Sequence, residues 1–156
     1  MISIYIMKEL ILAAIISSLI TTIVATILGM IWYGPLFGKT WMKVMGVHFD
    51  SSEDKKKAQK GMLLVHLTQM FVTFIMFLAF AYFNLFVGPL SVGGGIMFAL
   101  VVWFGFIMPI EAGAALWSGK TKKLAWQMFL INTFYQMVCF VIAGAVWTLT
   151  YPHFFA

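Results

Sequence analysis

The sequence predicts an all-α polytopic membrane protein, a bundle of four transmembrane helices with a short interfacial helix after the first span. Three observations carry that prediction. Of 156 residues, 63% are hydrophobic and only 10% charged, with a mean hydropathy of +1.00; a soluble domain of this size would leave too much of that apolar surface in water. The apolar residues gather in four stretches, at 10–33, 62–86, 95–117 and 124–149, each long enough to supply the ~20 residues a helix needs to cross a bilayer. The segments between them are short, so nothing soluble is large enough for a second domain and residues 1–156 read as one transmembrane domain. In hydrocarbon, backbone polar groups must be satisfied within the span, and stretches of this length do so as helices.

The first stretch carries Ala14, Ser18, Thr22, Ala25 and Gly29 at three- and four-residue spacing. Such a stripe lets a second backbone approach, because helices in lipid associate by close contact and not by hydrophobic exclusion. No small-residue cleavage site follows it, so it is expected to be a retained helix and not a signal peptide. In the connection 34–61, Phe37, Trp41, Val44 and His48 recur at helical spacing while Lys39 and Lys43 fall elsewhere, the pattern of a helix lying in the interface. Trp32, Tyr33 and Trp41 would anchor it at headgroup depth. Ser51 and Asp54 resemble a capping box with Asp in place of Glu, so a new helix is expected to start there and run through Lys60 into the membrane. The pair Glu53–Lys57 supports its first turns slightly. In the third stretch Gly105 and Gly113 are expected to allow close helix contact as the first stripe does.

The net charge is +5, and all ten basic residues are lysines. Lys39, Lys43, Lys55, Lys56, Lys57 and Lys60 lie in the connection 34–61, and Lys120, Lys122 and Lys123 in 118–123, whereas 87–94 carries no charge. This placement reads as topology, not as a nucleic-acid surface: both lysine-bearing loops are expected to be cytosolic and both termini outside a cell membrane. The first lysine run is chiefly a solvated helix face, with attraction for anionic headgroups as its functional alternative. Cys139 is the lone cysteine, so no intrachain disulfide can form, and it reads as a small packing residue.

Gly-Lys-Thr occurs twice, at 38–40 and 119–121. A phosphate-binding loop needs a further glycine five positions earlier, where Tyr33 and Ala114 stand, and neither copy follows a strand, so nucleotide binding is rejected. The pair suggests an internal parallel repeat of helices one and two in three and four, but three residues do not establish it.

Polar residues placed by depth form a layer. Counting ~1.5 Å per residue from the lysine-bearing boundary, His66 and Gln69 come roughly 8 to 12 Å into the second span, Asn132 roughly 12 Å into the fourth, and Glu111 roughly 10 Å from the same boundary in the third. His66, Gln69 and Thr73 share one helix face, and Asn132, Tyr135, Gln136 and Cys139 another. Glu111 is the only acid inside the four stretches, and a carboxylate there is costly unless it is paired, hydrated or protonated. Pro109, two residues before it, removes a backbone donor and is expected to free the carbonyl of Gly105. The layer reads either as a polar pocket for a cation, proton or small polar solute, or as a satisfied network that fixes helix packing.

Other chemistries lack their residues. His48, His66, His153, Cys139 and Glu111 are spread over several depths and both sides, so no metal site is expected. No second histidine matches His66 for haem, and no base accompanies Ser17 or Ser18. No cofactor and no catalytic residue is assigned; an intramembrane enzyme acting on lipid stands as a third alternative that lacks a convincing nucleophile beside a base, and the leading reading is non-enzymatic.

From Trp32 to Met42 the sequence Trp-Tyr-Gly-Pro-Leu-Phe-Gly-Lys-Thr-Trp-Met, followed by Gly46, resembles the small membrane proteins of the domain of unknown function 1761 family. The resemblance continues at Trp103-Phe104-Gly105-Phe106, at Leu130-Ile131-Asn132 and at Tyr135, covering most of the chain. It implies a four-helix integral membrane protein; Asn132 and Tyr135 match family-like positions, whereas Glu111 and His66 do not carry over. The leading functional expectation is a small transporter or channel, with Glu111 as the charged or protonated centre, His66 its partner, and Gln69, Asn132, Tyr135 and Gln136 lining the pocket. The alternative is an accessory membrane subunit that binds other membrane proteins through its small-residue faces. The lipid bilayer and further copies of the chain are the expected partners, with homo-oligomers a common solution for four short-looped helices.

Overall fold

A computed structural model describes residues 4–49, 51–88 and 91–151. His153, and the side chains of Lys55, Lys56, Lys57 and Lys60 with the expected pair to Glu53, lie outside the described residues. The first span is α1, Ile4–Ile31, which widens into a π-helical turn at Trp32–Leu36 around Pro35. Phe37 closes that turn by donating its N–H to the carbonyl of Trp32 at 2.9 Å, five residues back. The short helix α2, Gly38–Met45, follows and ends at Gly46, whose φ of 67° is the left-handed conformation that a side chain resists.

Ser51 starts α3, Ser52–Val87, as the sequence expects: its hydroxyl oxygen accepts from the Asp54 N–H at 3.1 Å and donates to the Asp54 carboxylate at 2.7 Å. The third span comprises α4, Val92–Val102, a second π-helical turn at Trp103–Ile107, and α5, Met108–Leu116. The fourth is α6, Lys122–Thr150. Among the described residues, four helical segments are long and apolar enough to cross a membrane, Met7–Leu36, Gly61–Val87, Val92–Leu116 and Lys122–Thr150. The chain is an all-α polytopic membrane protein.

α6 is the hub, packed against α1, α2, α4 and α5, while α3 leans mainly on α1. The stripe on α1 faces inward within the same chain: Ala14, Ser18, Thr22 and Ala25 are buried. Burying hydroxyls in this seam costs little, because Ser18, Thr21 and Thr22 donate to the carbonyls of Ala14, Ser17 and Ser18 one turn back, at 2.6, 2.8 and 2.7 Å.

The tightest seam in the third span is not where Gly105 and Gly113 placed it. Both have open space where a Cβ would stand. The close approach is made by Gly95 of α4 against Gly144 of α6, where a Cβ on Gly95 would sit 2.5 Å from the Gly144 carbonyl oxygen.

At the end of the bundle away from the lysines, α3 joins the core. Phe77 and Phe80 pack edge-on against Phe140, with ring centroids 5.8 and 5.4 Å apart, over Ala25, Ala99 and Ala143. At the lysine-bearing end α3 stands apart, and residues 61–69 are all exposed. There α2 rests on α6 instead, with Val44 buried.

Candidate functional site

The two π turns do one job twice. A π turn accommodates an extra residue and shifts the side chains that precede it out of α-helical register. In the first, the indole of Trp32 donates to the carbonyl of Ile131 at 3.0 Å; in the second, the indole of Trp103 donates to the carbonyl of Thr133 at 3.0 Å. These carbonyls flank Asn132 on α6, so two donors from two other spans fix the backbone on both sides of that residue.

The Asn132 carboxamide is held at both its ends. Its Nδ2 donates to Oε2 of Glu111 at 3.1 Å, and its Oδ1 accepts from the Tyr33 hydroxyl at 3.1 Å. The result is a directional string, Tyr33 to Asn132 to Glu111, that links the first, fourth and third spans. Aromatic rings wall it: Tyr33 meets Tyr135 and Trp41 edge-on at 5.1 and 4.9 Å between centroids. Tyr135 is itself pinned to α1, donating its hydroxyl to the carbonyl of Ala25 at 2.9 Å, where Gly29 leaves room for it.

Glu111 is half-buried. Among the described residues it meets no lysine or histidine within ion-pairing distance, and its hydrogen-bond partner is the neutral carboxamide. Gly105, whose carbonyl Pro109 was expected to free, lies exposed in the second π turn. Among the described residues no group of three or more His, Cys, Asp or Glu side chains is placed to hold a metal ion.

A family model described as a protein of unknown function (DUF1761) matches residues 16–148. The chain belongs to the DUF1761 family. No curated protein and no solved structure matches it. The three stretches that carry the family resemblance in this DUF1761 chain meet at one place. Trp32-Tyr33 and Trp103 lie in the two π turns, and Ile131-Asn132 is the segment they grip.

Of the residues the sequence grouped into a pocket, the structure brings Glu111 and Asn132 into contact and puts Tyr135 beside Tyr33. Gln136 is half-buried one turn further along α6, with no hydrogen bond to the string among the described residues. His66 and Gln69 are not part of it. Both are exposed on the outlying half of α3, and Gln69 donates to Thr73 on its own helix at 3.2 Å. Equal depth does not bring residues together when the helix that carries them diverges from the bundle.

Sequence reasoning missed Tyr33 as a member of the string, having assigned it to the headgroup layer. It also missed the role of Trp32 and Trp103. The available signal was the recurrence of a tryptophan a few residues before a proline in both odd-numbered spans, Trp32 before Pro35 and Trp103 before Pro109. Trp103→Phe keeps the ring and deletes the donor, so it should lower stability by about 1 kcal/mol. Thermal unfolding in detergent measures this, and an unchanged midpoint would show that the indole does not hold α6.

Proposed function

We propose that this membrane protein is a small transporter or channel in which the string of Tyr33, Asn132 and Glu111 binds a proton or small cation from the lysine-bearing side. One observation carries the reading: an acidic side chain within a bilayer-length span, half-buried, whose described partner is a neutral amide. A carboxylate in that position gains its balancing charge from a proton or a cation. Asn132 supplies a donor to one carboxylate oxygen and leaves the other for the incoming ion, and Tyr33 fixes the carboxamide so that its donor end faces the acid. By the distribution of lysines, that side is the cytosolic one and both termini lie outside.

The test is flux in proteoliposomes that hold a proton- or cation-sensitive dye. Wild type is expected to dissipate an imposed gradient, and Glu111→Gln to reduce the rate at least tenfold, because the amide neither protonates nor carries charge. Equal rates for the two would remove Glu111 from the role.

A second reading, an accessory subunit, draws on a separate observation. The exposed half of α3 carries His66 and Gln69 among Leu63, Leu64, Val65 and Leu67. Polar groups on a lipid-facing helix are costly, and a neighbouring membrane helix that hydrogen-bonds them would cover that cost. Co-purification of a membrane partner that is lost in His66→Leu with Gln69→Leu would support it; retention of the partner would overturn it.

A further inference from the structure

A groove of about 340 Å³ lies between the end of α5 and the start of α6, separate from the Glu111 string. Its lining is mostly apolar, made by Leu116, Trp126, Phe129 and three alanines, and Lys120 and Lys122 complete it. We propose that it binds one anionic phospholipid, with the phosphate at the two lysines and an acyl chain along the apolar wall.

The charge balance favours an anion. Among the described residues no acidic side chain lines the groove and neither lysine is ion-paired. α6 starts at the same place without a side-chain cap from Thr121 and without an acid in its first turn. Its first N–H groups therefore add positive potential to that of the ammonium groups. The position favours a lipid over a free anion. The groove sits where two spans end, and Trp117 and Trp126 beside it are 90% and 62% exposed, as tryptophans of an interfacial belt are. A soluble phosphate would use the lysines and leave the apolar wall bare, whereas a phospholipid satisfies both halves. Basic pockets between spans on the cytosolic side select anionic headgroups on these grounds.

Native mass spectrometry of the detergent-purified chain tests the site, with phosphatidylglycerol and phosphatidylcholine of identical acyl chains as probes. Phosphatidylglycerol is expected to be retained, and Lys120→Gln with Lys122→Gln to weaken its binding about tenfold or more. Lys39→Gln with Lys43→Gln, an equal loss of charge on α2, should leave it unchanged. Unfolding midpoints of both variants confirm that each is folded, which three exposed lysines and the half-buried Lys120, on loop and helix ends, should allow. Trp126→Ala should weaken long-chain phosphatidylglycerol while leaving glycerol phosphate as poorly bound as in wild type. Equal losses from the two lysine pairs, equal retention of phosphatidylcholine, or glycerol phosphate bound as tightly as the lipid would each overturn the proposal.

Discussion

Gly144→Leu should unseat α4 from α6 and is expected to be among the most damaging single substitutions in this chain. Gly95 and Gly144 face each other with no side chain between the two backbones: a Cβ on Gly95 would lie 2.5 Å from the Gly144 carbonyl oxygen and 2.6 Å from Cγ2 of Thr148. A long flexible side chain can step aside from such a clash; a helix carbonyl cannot. The whole of α4 would have to move outward, and with it the contacts of Ala99 and Phe98 in the core. Helix association in lipid depends on this close packing. Overfilling a packed seam typically costs 1–3 kcal/mol, and a backbone-to-backbone clash belongs at the upper end, about 3 kcal/mol. Thermal or denaturant unfolding in detergent should show the loss as a lowered midpoint. Gly113→Ala is the matched control, since a Cβ there meets open space and Ala is the better helix former by up to about 1 kcal/mol. Were Gly144→Leu to melt with wild type while Gly113→Ala did not gain, the seam would not be the contact that holds the third span.

The same seam shows why some features were legible in the sequence and others were not. The four spans follow from composition because the bilayer imposes both their length and their helicity. The start of α3 follows because the Ser51 and Asp54 interaction is local. That Glu111 and Asn132 lie at one level follows from counting helical rise along antiparallel neighbours, a calculation that needs no knowledge of rotation; that they touch does not follow from it. Rotation was the missing quantity. The π turn at Trp103–Ile107 inserts an extra residue, which turns everything beyond it by about 100° relative to an unbroken α-helix. A stripe counted through it, such as Gly105 to Gly113, therefore loses its register, and Gly95 on the near side proves to be the contact. His66 and Gln69 fail for a different reason. They share one helix face in the sequence, but α3 diverges from α6 at that level, α2 takes the place beside α6, and the face is left exposed at His66 and Gln69. Tyr33 was assigned by residue type to the interface, when the π turn that follows Ile31 directs its hydroxyl to Asn132.

Glu111→Leu and Glu111→Gln should differ in stability and agree in transport, and that contrast separates a functional acid from a structural one. Gln keeps a carbonyl oxygen where Asn132 Nδ2 now donates at 3.1 Å, so the string of hydrogen bonds survives and the charge alone is lost. Leu removes the acceptor as well and strands the carboxamide donor between spans. Intramembrane hydrogen bonds measured by double-mutant cycles average ~0.6 kcal/mol and reach ~1.7, so Glu111→Leu should cost about 1 kcal/mol relative to Glu111→Gln in detergent unfolding. A cycle with Asn132→Leu should return a coupling of the same size, since either change alone breaks the same bond. If the carboxylate serves only as helix glue, Gln should be silent in every assay and Leu should fail in proportion to its lost stability. If it carries a proton or cation, both variants should lose flux alike despite their different midpoints. A flux that tracks stability across the two variants would decide for the structural role, because an ion site depends on the charge that both of them lack and a packing contact depends on the acceptor that only one of them removes.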